Sequence, residues 1–177
     1  MRRFLERLYA ASGALAAVCL ASIALVMLAQ AGMREFGFLL RGADDIVGWL
    51  CAASAFLALG HTFRHGELVR VGLLIDRLPP ASRRKAETLA LGGALLVVGY
   101  ILWASANFVY ESWKFNEVAQ GLIQIPIWIP QMSLVAGALV FFVAVLDEFV
   151  VLVSGGTPAY RRAEETHHRG AELTEAP

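Results

Sequence analysis

Four long runs without a single charged residue, Leu8–Met33, Ile46–Phe63, Thr88–Tyr110 and Val118–Leu146, leave this chain few folds to choose from. They are 26, 18, 23 and 29 residues long. A helix rises about 1.5 Å per residue and a bilayer core is about 30 Å thick, so every run is long enough to span. With 177 residues in all, little chain remains for a soluble domain. Hydrophobic residues make up 58% and charged residues 17%, the latter below the ~25% of soluble domains. The expectation is an all-α integral membrane protein with four transmembrane helices, at about 8–33, 46–63, 88–110 and 130–153. Residues 1–153 would form the membrane domain, and 154–177 a polar, disordered tail.

The formal net charge is zero, so no global basic surface points to nucleic acid. The zero hides an asymmetry. Twelve of the 15 Lys and Arg residues fall in the N-terminus, the second loop and the tail. The positive-inside rule then puts both termini and the second loop in the cytoplasm. Four spans require both ends on one side, so the two counts agree. Ala29-Gln30-Ala31 resembles a signal cleavage site, but the apolar run before it exceeds the ~7–15 residues of a signal core. An uncleaved first helix is expected.

The second loop carries a further element. Leu68, Val71, Ile75 and Leu78 fall at helical spacing, with Arg70, Asp76 and Arg77 elsewhere around the same helix. This predicts a short interfacial helix between spans 2 and 3, ended by Pro79-Pro80. Ser82 would cap the third helix. Arg83, Arg84 and Lys85 follow, placed to hold anionic lipid headgroups at about 1 kcal/mol each. The segment Gly121–Gln131 is broken by Pro126 and Pro130, which predicts a surface segment with Trp128 as anchor and a fourth helix beginning near Pro130. In the first span Gly13, Ala17 and Ala21, and likewise Ala10 and Ala14, recur at four-residue spacing, either as a packing stripe or as plain alanine richness. Which helix faces meet protein is not legible, since lipid-facing and protein-facing sides are both apolar. Cys19 and Cys51 lie at different depths and read as two small buried thiols.

Few residues carry chemistry. His61 and His65, at i and i+4, fall short of the three or four ligands zinc normally takes, so no metal is expected. A bis-histidine haem would need histidines on two spans, and only the second has any. Ser82-Arg83-Arg84-Lys85 matches S-x-x-K without its companion motifs, a chance match. Asp147-Glu148 is an acidic pair at the inner end of an otherwise apolar helix, where Arg64 or Arg70 would pair with it across the bundle. Asp44-Asp45, with Arg34 before it, sits at the outer side; a capping role competes with docking of an external partner. No charge lies near mid-membrane, where ion-coupled transporters need polar groups or broken helices. An enzyme is not expected.

The stretch Arg64-His65-Gly66-Glu67-Leu68-Val69-Arg70-Val71-Gly72, followed by leucines and Pro79, resembles a motif after the second span of the small, DctQ-like membrane subunit of tripartite ATP-independent periplasmic (TRAP) transporters. Arg64, Gly66, Arg70 and Val71 match the motif, while Leu68 and Gly72 depart from it. Arg34 with Phe36-Gly37, then Asp44-Asp45, and the approach Gly121–Gln131 to the fourth helix are similar too. The resemblance implies a non-catalytic scaffold in the bacterial inner membrane, without a cofactor of its own. Its partners would be a large multi-span subunit holding the substrate and sodium sites, and a periplasmic binding protein delivering an organic acid. It further implies that Arg64, Gly66, Arg70 and Val71 shape the interfacial helix, and that Arg34, Asp44 and Asp45 receive the binding protein. An accessory subunit of another membrane complex and a self-contained small channel or exporter are the competing readings. Under the first reading, charge reversal at Asp44 and Asp45 slows uptake without lowering expression; unchanged uptake at low salt counts against it.

Overall fold

The computed structural model describes residues 2–65 and 80–156. They form four helices: α1 (Arg2–Glu35), α2 (Ala43–Arg64), α3 (Pro80–Lys114) and α4 (Trp128–Val153). All four are long and apolar enough to cross a membrane. The helices outrun the uncharged runs at most ends, because a charged side chain in a terminal turn can reach the interface while its backbone stays helical. α3 already begins at Pro80, which lacks the N–H that a first helical residue has no partner for. Ser82 is therefore inside the helix and does not cap it. α4 begins at Trp128, so Pro130 lies in its first turn, equally without loss of a helical bond. The expected interfacial helix, with Gly66, Arg70 and Val71, lies outside the described residues, as does nearly all of the tail.

Three helix ends are built alike. Gly37, Asn116 and Gly155 adopt φ of 77°, 50° and 85°. The N–H of each reaches back to close the last turn, on Arg34, Trp113 and Leu152, and the next N–H bonds Met33, Ser112 and Val151. This paired pattern satisfies carbonyls that the helix leaves open, and the left-handed residue it needs is usually Gly and sometimes Asn. Beyond α3 the chain folds over itself in a single antiparallel bridge between Val118 and Pro126. Ala119 N–H donates to Ile125 O and Ile127 N–H to Glu117 O, at 2.9 and 3.0 Å.

The helices pack in the spatial order α1–α2–α4–α3, with only a short contact between α1 and α4. α2 and α4 are thus the centre of the layer. With 34 and 35 residues, the edge helices α1 and α3 are about 50 Å long, well beyond the bilayer core. The central helices have 22 and 26 residues. Large exposed apolar side chains crowd α1 (Leu15, Val18, Leu20, Leu25, Leu28) and α3 (Leu89, Leu96, Val97, Trp103, Phe108). Such faces meet lipid or another membrane chain.

Glycine lets the layer close. A Cβ on Gly137 of α4 would stand 2.5 Å from the Phe56 backbone carbon of α2. One on Gly60 would stand 2.7 Å from Val140 Cγ1. One on Gly13 of α1 would meet the His61 ring at 2.8 Å. Ser12 Oγ donates to Leu57 O at 2.5 Å beside that crossing. Ala16, Ala53 and Leu57 form its small core, against which Cys19 packs. Of the expected small-residue stripes, Gly13 faces α2, while Ala10, Ala14, Ala17 and Ala21 are exposed. Cys51 is exposed too, which corrects the reading of two buried thiols; both cysteines are free. The main core gathers Tyr9, Phe63, Leu91, Val98, Val140, Ala144, Val145 and Leu152.

The Gly137 contact is with backbone, which cannot swing aside. Gly137→Ala is therefore expected to lower stability in detergent by about 1–3 kcal/mol. Gly32→Ala, with nothing within 4 Å, should leave stability unchanged. Equal melting temperatures for the two variants would contradict this packing.

Candidate functional site

Polar side chains gather at the two ends of the layer. At one end, α2 finishes on Arg64, whose guanidinium lies against α4 and α1 together. Its Nη1 donates to Asp147 Oδ2 at 3.0 Å. Its Nη2 lies 3.8 Å from Glu6 Oε1 of α1. Its Cζ sits 5.1 Å from the centroid of the Tyr9 ring, a cation–π distance. The side chains of Arg64 and Asp147 keep only 18% and 26% of their exposure, so water screens this pair less than it screens surface pairs. Helical geometry turns the next residue about 100° away, and Glu148 is accordingly 2% exposed, buried in the layer. The adjacent carboxylates thus have separate environments.

The same end receives the start of α3. Arg84 Nη2 approaches Leu152 O at 3.4 Å, placing a cation at the C-terminus of α4, where the helix dipole is negative. Lys85 is exposed beside it, and Glu87 is buried at 7%. The side chain of Arg83 is outside the described residues. His61 and His65 stack with ring centroids 4.2 Å apart.

At the opposite end, Asp45 ties α2 to the loop before α4. Its Oδ2 accepts from Leu122 N–H at 2.8 Å and from Ile123 N–H at 3.3 Å. Gly121 lies directly against this carboxylate, where a Cβ would collide with it. Gly42, in the left-handed region at φ 83°, begins α2 and leaves room for Ile123. Both acids lie in the first turn of α2, where the helix dipole favours negative charge, and Asp45 is in addition bound to the loop. Asp44 is exposed and receives Gln30 Nε2 at a long 3.4 Å. Arg34, one turn further along α1, is exposed. The expected trio is thus divided: Asp45 is used inside the fold, and Asp44 and Arg34 face outward. Reversing Asp45 would act on the loop, so the docking test belongs to Arg34 and Asp44. Ser112 Oγ donates to Glu117 Oε2 at 2.9 Å and fixes the other side of that loop.

Sequence reasoning placed Arg64 and Asp147 at one end of the layer, and the structure brings them together. It overlooked Glu6 and Tyr9. Tyr9 is 1% exposed, and an aromatic so deeply packed two turns into an N-terminal helix is a signal for a contact there. Glu6, the first acid of the chain, carried no such signal, because its partner is 58 positions away. Among the described residues no group of three or more His, Cys, Asp or Glu is placed to hold a metal.

Because Arg64 has one close carboxylate in Asp147, removing either partner leaves a charge in a poorly hydrated place. Arg64→Ala and Asp147→Ala are each expected to cost about 2–4 kcal/mol in detergent, and the double variant less than their sum by about 1–3 kcal/mol. Simple additivity would argue against the pair.

A family model described as "Tripartite ATP-independent periplasmic transporters, DctQ component" matches residues 23–155, from the middle of α1 to just beyond α4. No curated protein matches the chain.

Proposed function

Because the chain belongs to the DctQ component family of tripartite ATP-independent periplasmic transporters, we propose that it is the fixed scaffold of such a transporter. It is a multi-pass protein of the inner membrane and the small membrane component of its transporter. In the proposed assembly a large multi-span subunit holds the substrate and sodium sites. A periplasmic binding protein delivers an organic acid. The present chain contributes no chemistry and no cofactor; it holds the moving subunit at a set depth and presents a landing surface outside.

The observation that carries this reading is the family match over α1–α4, taken with where the ionisable residues of the layer sit. Glu6, Arg64, Arg84, Asp147 and Glu148 collect at one end, and Arg34, Asp44 and Asp45 at the other. Between the ends the helices are apolar and packed through glycine. Such an arrangement is suited to bracing and, among the described residues, offers a coupling ion no charged ligand at mid-depth. The exposed apolar faces of α1 and α3 are the surfaces available to a large membrane partner.

With both termini cytoplasmic, as twelve of 15 basic residues favour, the Asp45 end faces the periplasm. Arg34 and Asp44 then stand where a binding protein lands, and Arg84 and Lys85 face the inner leaflet. The test is co-expression with a large multi-span subunit encoded beside this chain. Stable copurification, and uptake that needs both membrane chains and the binding protein, are expected. Solute movement against its gradient by this chain alone in liposomes would overturn the reading.

A further inference from the structure

At the Arg64 end, α1 and α2 leave a cleft of about 360 Å3, lined by Glu6, Tyr9, Ala10, His61, Arg64 and His65. It lies at the terminus of two spanning helices, Leu5–Glu35 and Ala43–Arg64, and so at the level of the polar membrane interface. The lining offers both kinds of polar partner. Arg64 uses Nη1 on Asp147, and its Nη2 is 3.8 Å from Glu6, beyond hydrogen-bond reach, so the guanidinium keeps donors to spare. His61 Nδ1 is buried without a hydrogen-bond partner among the described residues. Glu6 is 59% exposed and brings a carboxylate that accepts only. His65 Nδ1 lies 2.9 Å from His61 O, which puts the proton on that nitrogen and leaves Nε2 an acceptor in the neutral ring.

Donors for an anion and acceptors for a cation therefore share one cleft. Its charge selects further. Within the lining Glu6 stands against Arg64, and Asp147 holds Arg64 from behind, so these residues offer no surplus of positive charge to a ligand of net negative charge. Ala10 also begins an exposed strip, Ala14, Ala17 and Ala21, that runs from the cleft along α1 towards mid-bilayer. Small residues there leave a shallow bed for a hydrocarbon chain. We propose that the cleft seats the headgroup of a zwitterionic phospholipid bearing a primary amine. The phosphate meets Arg64, the ammonium meets Glu6, and one acyl chain lies on the alanine strip. A quaternary amine has no N–H to give Glu6, and an anionic headgroup without an amine leaves Glu6 facing a like charge.

The experiment uses the full chain, purified and equilibrated with equal amounts of phosphatidylethanolamine, phosphatidylcholine and phosphatidylglycerol, with retained lipid read by native mass spectrometry. Phosphatidylethanolamine is expected to be retained about tenfold over each of the others, a factor corresponding to about 1.4 kcal/mol. Glu6→Gln should bring phosphatidylethanolamine and phosphatidylcholine to equal retention. Ala10→Phe, which fills the cleft from an exposed position, should release the lipid while leaving the melting temperature in lipid-free detergent unchanged. Excess inorganic phosphate should not compete. Equal retention of the three lipids, retention unaffected by Ala10→Phe, or displacement by free phosphate would each overturn the proposal. No partner chain enters the measurement, so its outcome is separate from that of the transporter reading.

Discussion

The layer depends on how closely α2 and α4 approach. Inside a bilayer, apolar side chains gain little by leaving lipid for protein, so helices associate through close packing and a few polar contacts. Gly137 against the Phe56 backbone, and Gly60 against Val140, bring the two central helices to a separation that no larger residue permits. α1 joins through Gly13 and His61 on one side, while α3 joins through Gly99 and Gly92 against Phe142 and Phe149 on the other. Each edge helix has one main neighbour. The result is a layer with two long free edges, which suits a component meant to be completed by something else in the membrane.

Polar contacts close the two ends, and they do so differently. Arg64 gathers α1, α2 and α4 at one end by charge. Asp45 binds the loop before α4 at the other by accepting two consecutive backbone N–H groups. Each ties α2 to the α4 side of the layer, and the glycine crossing lies between them. α2 is thus held at both ends and in the middle.

Much of the fold was legible beforehand. Four uncharged runs dictated four spans, and Pro130 marked the start of the fourth helix to within a few residues, whereas Pro80, read with Pro79 as the end of an earlier helix, in fact opens α3. Arg64 and Asp147 were visible as candidates because charges at the ends of apolar helices are few. Other features were not legible. Asp44 and Asp45 are identical neighbours in sequence, yet one is a structural tie and the other is exposed, which depends on where a loop some 77 residues later comes to lie. The small residues of α1 read equally as a packing stripe or as alanine richness; of them only Gly13 lies on the inward face, with Tyr9, Ser12, Ala16 and Cys19, and Ala10, Ala14, Ala17 and Ala21 are exposed.

The sequence by itself determined the number, length and class of the helices. Hydrophobic run length against bilayer thickness is a one-dimensional comparison, and charge counting along loops is another. Only the tertiary structure decided the order α1–α2–α4–α3, the face each helix turns inward, and the grouping of Glu6, Tyr9, Arg64 and Asp147. Where both lipid and protein surroundings are apolar, hydrophobic periodicity cannot tell them apart. The choice passes to close contacts at glycine and to charges far apart in the chain, and neither leaves a local pattern.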